Sequence, residues 1–152
     1  MIMDIVEDNN YKDMIEGQIY ELIEYLISKD QFFSITANIK GIQFDPELPE
    51  AIMNSFPPFT LFSLENYTYS SIILTETTLS FEAGFGQENF GSVVTLPLYA
   101  IFQVVIEESI LFLNPTATVE KYFEKSNDDE IDQETKSKNA FILNKKNKKL
   151  LS

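Results

Sequence analysis

The chain contains no cysteine, histidine, tryptophan or arginine. Without cysteine there are no disulfides and no thiolate nucleophile, and without cysteine and histidine the usual zinc ligand sets are gone. Histidine is also the commonest general base, so an enzyme built on this sequence has only carboxylates, lysine, tyrosine, serine and threonine to work with. Glycosidases and magnesium enzymes do use carboxylates, but the dense acids here are Glu107-Glu108 and Asp128-Asp129-Glu130. Adjacent acids on a turn point different ways and solvate it, and the second cluster falls in a stretch with almost no apolar residues. None of the glycines precedes a Lys-Ser/Thr pair, so there is no phosphate-binding loop. The sequence reads as non-enzymatic, with no cofactor and no metal.

Long apolar runs are also missing. Ile101 to Ile106 is among the longest, far short of the roughly 18 to 20 residues that span a bilayer. The opening MIMDIVEDNN turns acidic within a few residues and does not resemble a signal peptide, so a soluble, cytoplasmic protein is expected. Positive charge is scarce until the end. Up to Lys125 there are 19 acidic residues against 5 lysines, Ser126 to Thr135 adds five acids, and Lys136 to Ser152 holds six lysines and no acid. Such a body repels phosphate, so the folded part is expected to bind neither nucleic acid nor an anionic membrane.

What is present is apolar and aromatic. Hydrophobic residues make up 44% of 152 and phenylalanine alone numbers 13, enough for one domain with an appendage. The most ordered pattern runs from Leu79 to Pro97. Leu79, Phe81, Ala83 and Phe85 alternate with Ser80, Glu82, Gly84 and Gly86, as in a half-buried strand. Gly84, Gly86 and Gly91 surround Gln87, Glu88 and Asn89, opening conformations closed to other residues and letting another backbone approach. Val93 to Leu96 makes the returning strand, and Pro97 ends it. A hairpin is expected.

Around it the periodicity gives a helix over residues 10 to 29, capped by Asn9 or Asn10, with residues 1 to 9 loose. Tyr11, Met14, Ile15, Ile19, Leu22, Ile23 and Leu26 form its apolar face. Tyr20, Tyr25 and Ile27 widen that arc, which suggests a second partner besides the sheet. Strands follow over Gln31 to Ile42 (interrupted at Gly41), Phe59 to Leu64, Tyr67 to Leu74, Ile101 to Ile106 and Ile110 to Leu113. A short helical segment opens at Asp45-Pro46 and ends at Pro57-Pro58. Thr116 to Val119 either extends the last strand or marks the domain's edge. The fold class is α+β, mainly β: one N-terminal helix on an antiparallel sandwich or small barrel. The domain takes residues 10 to 125, an acidic linker 126 to 139, and an apolar, basic tail 140 to 152.

An aromatic strand ending in Phe85-Gly86, a short turn, a valine-rich strand closed by Pro97, then Leu98, Ala100 and Ile101 and another apolar strand together resemble the central signature of the stringent starvation protein B family. Thr75-Glu76-Thr77 before the first of these strands is similar to its shorter, alphaproteobacterial-type members. The family consists of adaptors that deliver proteins carrying ssrA-like tags to the ClpXP protease. The resemblance implies a two-sheet, Sm-like partial barrel and a homodimer built partly on the helix, through Tyr11, Ile15, Ile19 and Leu22. It also implies a tag-binding groove at the hairpin, for which Leu64, Tyr69, Ala83, Phe85, Gly86 and Gln87 are the candidates. Finally, it implies that the tail docks on the N-terminal domain of the ClpX unfoldase, with Phe141, Ile142, Leu143, Leu150 and Leu151 supplying area and Lys145 and Lys146 charge. Family loops here often carry a lysine or arginine, whereas this one carries Glu88, which repels an acidic tag.

The residues alone leave alternatives open. Phenylalanine at period two is what any β-core contains, and glycine in a turn is often just a turn. A lysine-rich apolar tail also suits a membrane surface or RNA. An interaction or regulatory protein acting through its helix and tail, or a carboxylate-based enzyme or small-ligand barrel, would share much of this sequence.

Overall fold

The computed structural model describes residues 2–124, 146–148 and 150–151. The chain forms two compact units, Met1–Val119 and Glu120–Ser152. The first begins with a short helix α1 (Ile2–Val6), where loose chain was expected, and the long helix α2 (Asn9–Ser28). The turn between them is closed by Asp8 N–H donating to Ile5 O at 3.0 Å. Asp8 then caps α2, its carboxylate accepting from Tyr11 N–H at 3.0 Å, in place of the expected Asn9 or Asn10.

The strands are β1 (Phe33–Asn38), β2 (Gln43–Asp45), β3 (Phe59–Leu64), β4 (Ile73–Leu74), β5 (Thr78–Phe85), β6 (Phe90–Pro97), β7 (Ile101–Ile106) and β8 (Ser109–Leu113). They form two four-stranded antiparallel sheets, ordered β3-β1-β7-β8 and β2-β6-β5-β4. The molecule is α+β and mainly β, but an open sandwich and not a closed barrel. Two further short helices, α3 (Glu50–Met53) and α4 (Asn66–Ser70), lie between strands.

Three sequence expectations are corrected. The Gln31 to Ile42 strand stops at Asn38, where Ile39–Gly41 makes a 3-10 turn that carries the chain to β2 in the other sheet. Pro46 does not enter a helical turn; it follows a cis peptide bond from Asp45, and Pro49 stands at the N-cap of α3. Tyr67 to Leu74 is not one strand: Asn66–Ser70 is helical, and only Ile73–Leu74 joins the sheet. The Ser70 and Ser71 hydroxyls donate back to the Tyr67 and Thr68 carbonyls at 2.8 and 2.7 Å, giving side-chain donors to two carbonyls at the end of this short helix.

The core lies between the sheets. Phe33, Ile35 and Ala37 of β1, Phe62 and Leu64 of β3, and Ile101 and Val104 of β7 face Leu79 and Phe81 of β5 and Val94 and Leu96 of β6, all buried. The rings of Phe62 and Phe81 meet across the sandwich at 5.8 Å. A 3-10 corner, Leu98–Ala100, passes the chain from β6 to β7, and α2 packs against it. Thr116 to Val119 does not extend β8; Pro115–Thr118 is a 3-10 turn with Thr116 and Ala117 buried. Asn114 before it is fully buried.

Helix α2 buries Ile15, Ile19, Ile23 and Leu26 against its own chain. Ile15 and Ile19 therefore cannot supply the intermolecular face the resemblance implied, while Tyr11 and Leu22 are half-buried. The exposed stripe runs Met14, Gln18, Glu21, Tyr25, with polar residues at its centre. Among the described residues no helix is long and apolar enough to cross a membrane. At the sheet edge, β8 leaves Ile110, Leu111 and Leu113 exposed.

Glu16 is only 9% exposed, and burial pushes its carboxyl above the ordinary 4.5, with Asp13 adding to the effect and Lys12 and the Tyr99 N–H opposing it. A carboxyl that holds its proton more tightly when folded favours the native state less as pH rises from 4.5 through the raised value. Glu16→Gln, which keeps the acceptor for Tyr99, is expected to raise the melting temperature at pH 7 and to flatten that fall. Thermal melts of both proteins from pH 4 to 8 read the difference.

In the second unit, Glu120–Tyr122 is a 3-10 turn, with the Lys121 ammonium 5.4 Å from the Tyr122 ring centroid. Two short strands, β9 (Lys146–Lys148) and β10 (Leu150–Leu151), pair antiparallel.

Candidate functional site

The hairpin β5–β6 is in register from Thr78↔Pro97 to Phe85↔Phe90, so Gly84 stands directly opposite Gly91. Leu79 and Phe81 point into the core, which puts Ser80, Glu82 and Gly84 on the outer face. Two glycines side by side there put no side chain of their own on that face. The result is a trough of about 530 Å³ across the outer face of the hairpin.

Its floor is Glu82 to Gly84 and Gly91 to Val93; Asp45 and Pro46 border it beside β2, and Tyr67 and Thr68 beside β5. Register fixes the first border, since Asp45 pairs with Val93 and the Ser92 hydroxyl donates to Pro46 O at 2.9 Å. Hydrogen bonding fixes the second, since the Tyr67 hydroxyl donates to Glu82 Oε1 at 2.5 Å. That bond, with the Glu82 charge, raises the Tyr67 hydroxyl above its ordinary 10.

Floor and edge both offer backbone. A Cβ on Gly84 would sit 1.7 Å from Asn89 Oδ1, so the Asn89 carboxamide lies over this glycine inside the trough. Among the described residues, a Cβ on Gly91 would meet nothing within 4 Å beyond its chain neighbours, so the floor there is open. Glu82 N–H donates to Ser71 Oγ at 2.8 Å, which shows that even-numbered residues of β5 turn their N–H and C=O groups away from β6. Strand β4 pairs with β5 only at Leu79 and Ser80. Past it, the backbone of Gly84 faces no strand among the described residues. Such an edge can accept an extended chain.

Of the sequence candidates, only Ala83 lines this trough. Leu64 is fully buried, because Thr60, Phe62 and Leu64 are the inward positions of β3, so it cannot touch a peptide at the surface. Tyr69 is turned away by α4. Its ring lies 4.9 Å from Phe32 and its hydroxyl 3.4 Å from the Leu26 and Ile27 carbonyls, where it pins the end of α2. Phe85 points inward, its ring 5.7, 5.9 and 6.4 Å from those of Phe44, Phe56 and Phe62. Gly86 has φ +77, a Cβ there would crowd Ile52 Cδ1 at 2.9 Å, and its carbonyl accepts from Asn89 N–H. It shapes the turn, and Gln87 is exposed at the tip. Missed by sequence were Asp45, Tyr67, Glu82 and Asn89; the Gly84 and Gly91 pair was the signal that led nearest to them.

Glu107 and Glu108 are exposed between β7 and β8. The linker 126 to 139 and the tail residues Phe141, Ile142, Leu143 and Lys145 lie outside the described residues; Lys146 falls in β9, and Leu150 and Leu151 in β10. No protein-family model matches the chain, and no curated protein matches it.

Proposed function

We propose that this protein is a non-enzymatic peptide-binding adaptor. It holds an extended tag in the Gly84–Gly91 trough and, as the resemblance to the stringent starvation protein B family implies, delivers tagged proteins to the ClpXP protease through its tail. The observation that carries the first half is a pair of facing glycines in the floor, beside a strand edge that no other strand covers among the described residues, bordered by an exposed tyrosine. Backbone bonds along an edge supply affinity for any extended chain, and the borders choose among sequences. Tethering by a linker then raises the client's concentration at the protease, to the millimolar range when the linker is short and flexible.

Gly91→Val tests the trough. Because nothing lies within 4 Å of the added Cβ, the fold accepts a residue that also suits a strand, while its branched side chain fills the floor. With a fluorescent copy of the host's ribosome-rescue tag, anisotropy is expected to show saturable binding that this variant weakens by about tenfold or more at unchanged stability; tenfold corresponds to about 1.4 kcal/mol. No saturation by wild type at tens of micromolar protein overturns tag delivery and leaves the interaction-protein alternative.

A further inference from the structure

The charged groups that line the trough are Asp45 on one border and Glu82 at the edge of the floor beside the other, and among the described residues no lysine lines it. Both residues are exposed, and the Glu82 carboxylate, which accepts from Tyr67 through Oε1, keeps further acceptor capacity for a ligand. Tyr67, 66% exposed, is tied by its hydroxyl to Glu82, so an aromatic ring and a carboxylate stand together on one side of the trough. A carboxylate beside an aromatic ring favours an ammonium or guanidinium group, through charge and through the ring's negative face. An acidic side chain in the same place meets like charge from both walls. The surroundings have the same sign, with Glu88 in the adjoining turn and 19 acids against 5 lysines up to Lys125. Such a field steers cationic segments toward the hairpin and anionic ones away. The opening over Gly91 gives one side chain of the ligand room to descend between the walls.

Resting on the peptide-binding reading above, we infer that the trough selects an extended peptide with a lysine or arginine at the residue seated over Gly91. Asn89 offers its carboxamide to the peptide backbone, and Asp45 and Glu82 bracket the cation.

The test is selection of short random peptides, displayed on phage, against the full-length protein, with counter-selection on Gly91→Val. Enriched sequences are expected to share one Lys or Arg. A synthetic copy of the best sequence is then compared with its Lys→Gln and Lys→Glu forms. Affinity should fall roughly fivefold for glutamine and further for glutamate. The preference should shrink in Asp45→Asn/Glu82→Gln and at high salt, where exposed charges are screened. Trough-dependent sequences that are neutral or acidic at the shared position overturn the basic preference while leaving peptide binding intact. If no sequence depends on the trough, both are overturned.

Discussion

Phe81→Ala is expected to remove about 3 to 5 kcal/mol of stability, the usual loss when a large aromatic is cut from a core. Phe81 is 1% exposed and sits at the centre of β5, in register with Val94, with the Phe62 ring of the opposite sheet 5.8 Å away. It is therefore a contact between the two layers and not only within one. Truncation leaves a void that both sheets line, and β5 and β3, held by their ladders to β6 and β1, can relax into it only in part. A domain of this size has about 5 to 15 kcal/mol in all, so the variant should melt about 10 to 20 °C lower and unfold at much lower urea. Urea titration followed by circular dichroism measures it. Phe81→Leu, which keeps most of the volume, should recover more than half of the loss. If both variants lose less than 1 kcal/mol, the sheets do not share this core.

The hairpin was legible because its alternation runs unbroken through Leu79, Phe81, Ala83 and Phe85 and its glycines mark the turn. Helix α2 was legible for the same reason, through apolar residues at steps of three and four. Helix α4 was not. Tyr67, Thr68 and Tyr69 have strand-forming side chains, and what makes them helical is partly tertiary: Tyr69 is held against Phe32 and the end of α2, far away in sequence. The choice of Asp8 over Asn9 or Asn10 as cap turns on a chemical equivalence, since all three side chains can accept the same bond.

The site was half legible. A Phe-Gly turn draws attention because aromatics often make pockets, yet parity puts Phe85 on the inner face with Phe81, whose partner is buried core. The usable surface is the opposite face, and it is made by missing side chains. Whether Gly84 meets Gly91 depends on the pairing register, which a turn one residue longer would shift. Its walls come from Asp45 and Tyr67, brought in by β2 and α4 from elsewhere in the chain. No local pattern encodes that meeting.

The same corner logic makes Asn114→Ala the other large loss expected, about 3 to 5 kcal/mol. Its carboxamide nitrogen donates to the Tyr99 and Ile101 carbonyls at 3.0 and 2.8 Å, and its oxygen accepts from Thr116 N–H at 2.9 Å, with none of its surface exposed. Those three groups belong to the corner where the chain leaves β6 for β7 and to the 3-10 turn after β8. Alanine orphans all three at roughly 1 to 3 kcal/mol each, less what entering water restores. Asn114→Asp separates this cause from simple loss of packing. It keeps the volume and the acceptor for Thr116, but at neutral pH aims a second anionic oxygen at two carbonyls. Protonation returns a donor. Relative to wild type, the aspartate variant should therefore regain stability on acidification, whereas the alanine variant should not. Denaturant midpoints of the three proteins at pH 7 and pH 4.5 decide it, and a fixed gap between the aspartate variant and wild type would mean that the carboxamide's donors do not hold the corner.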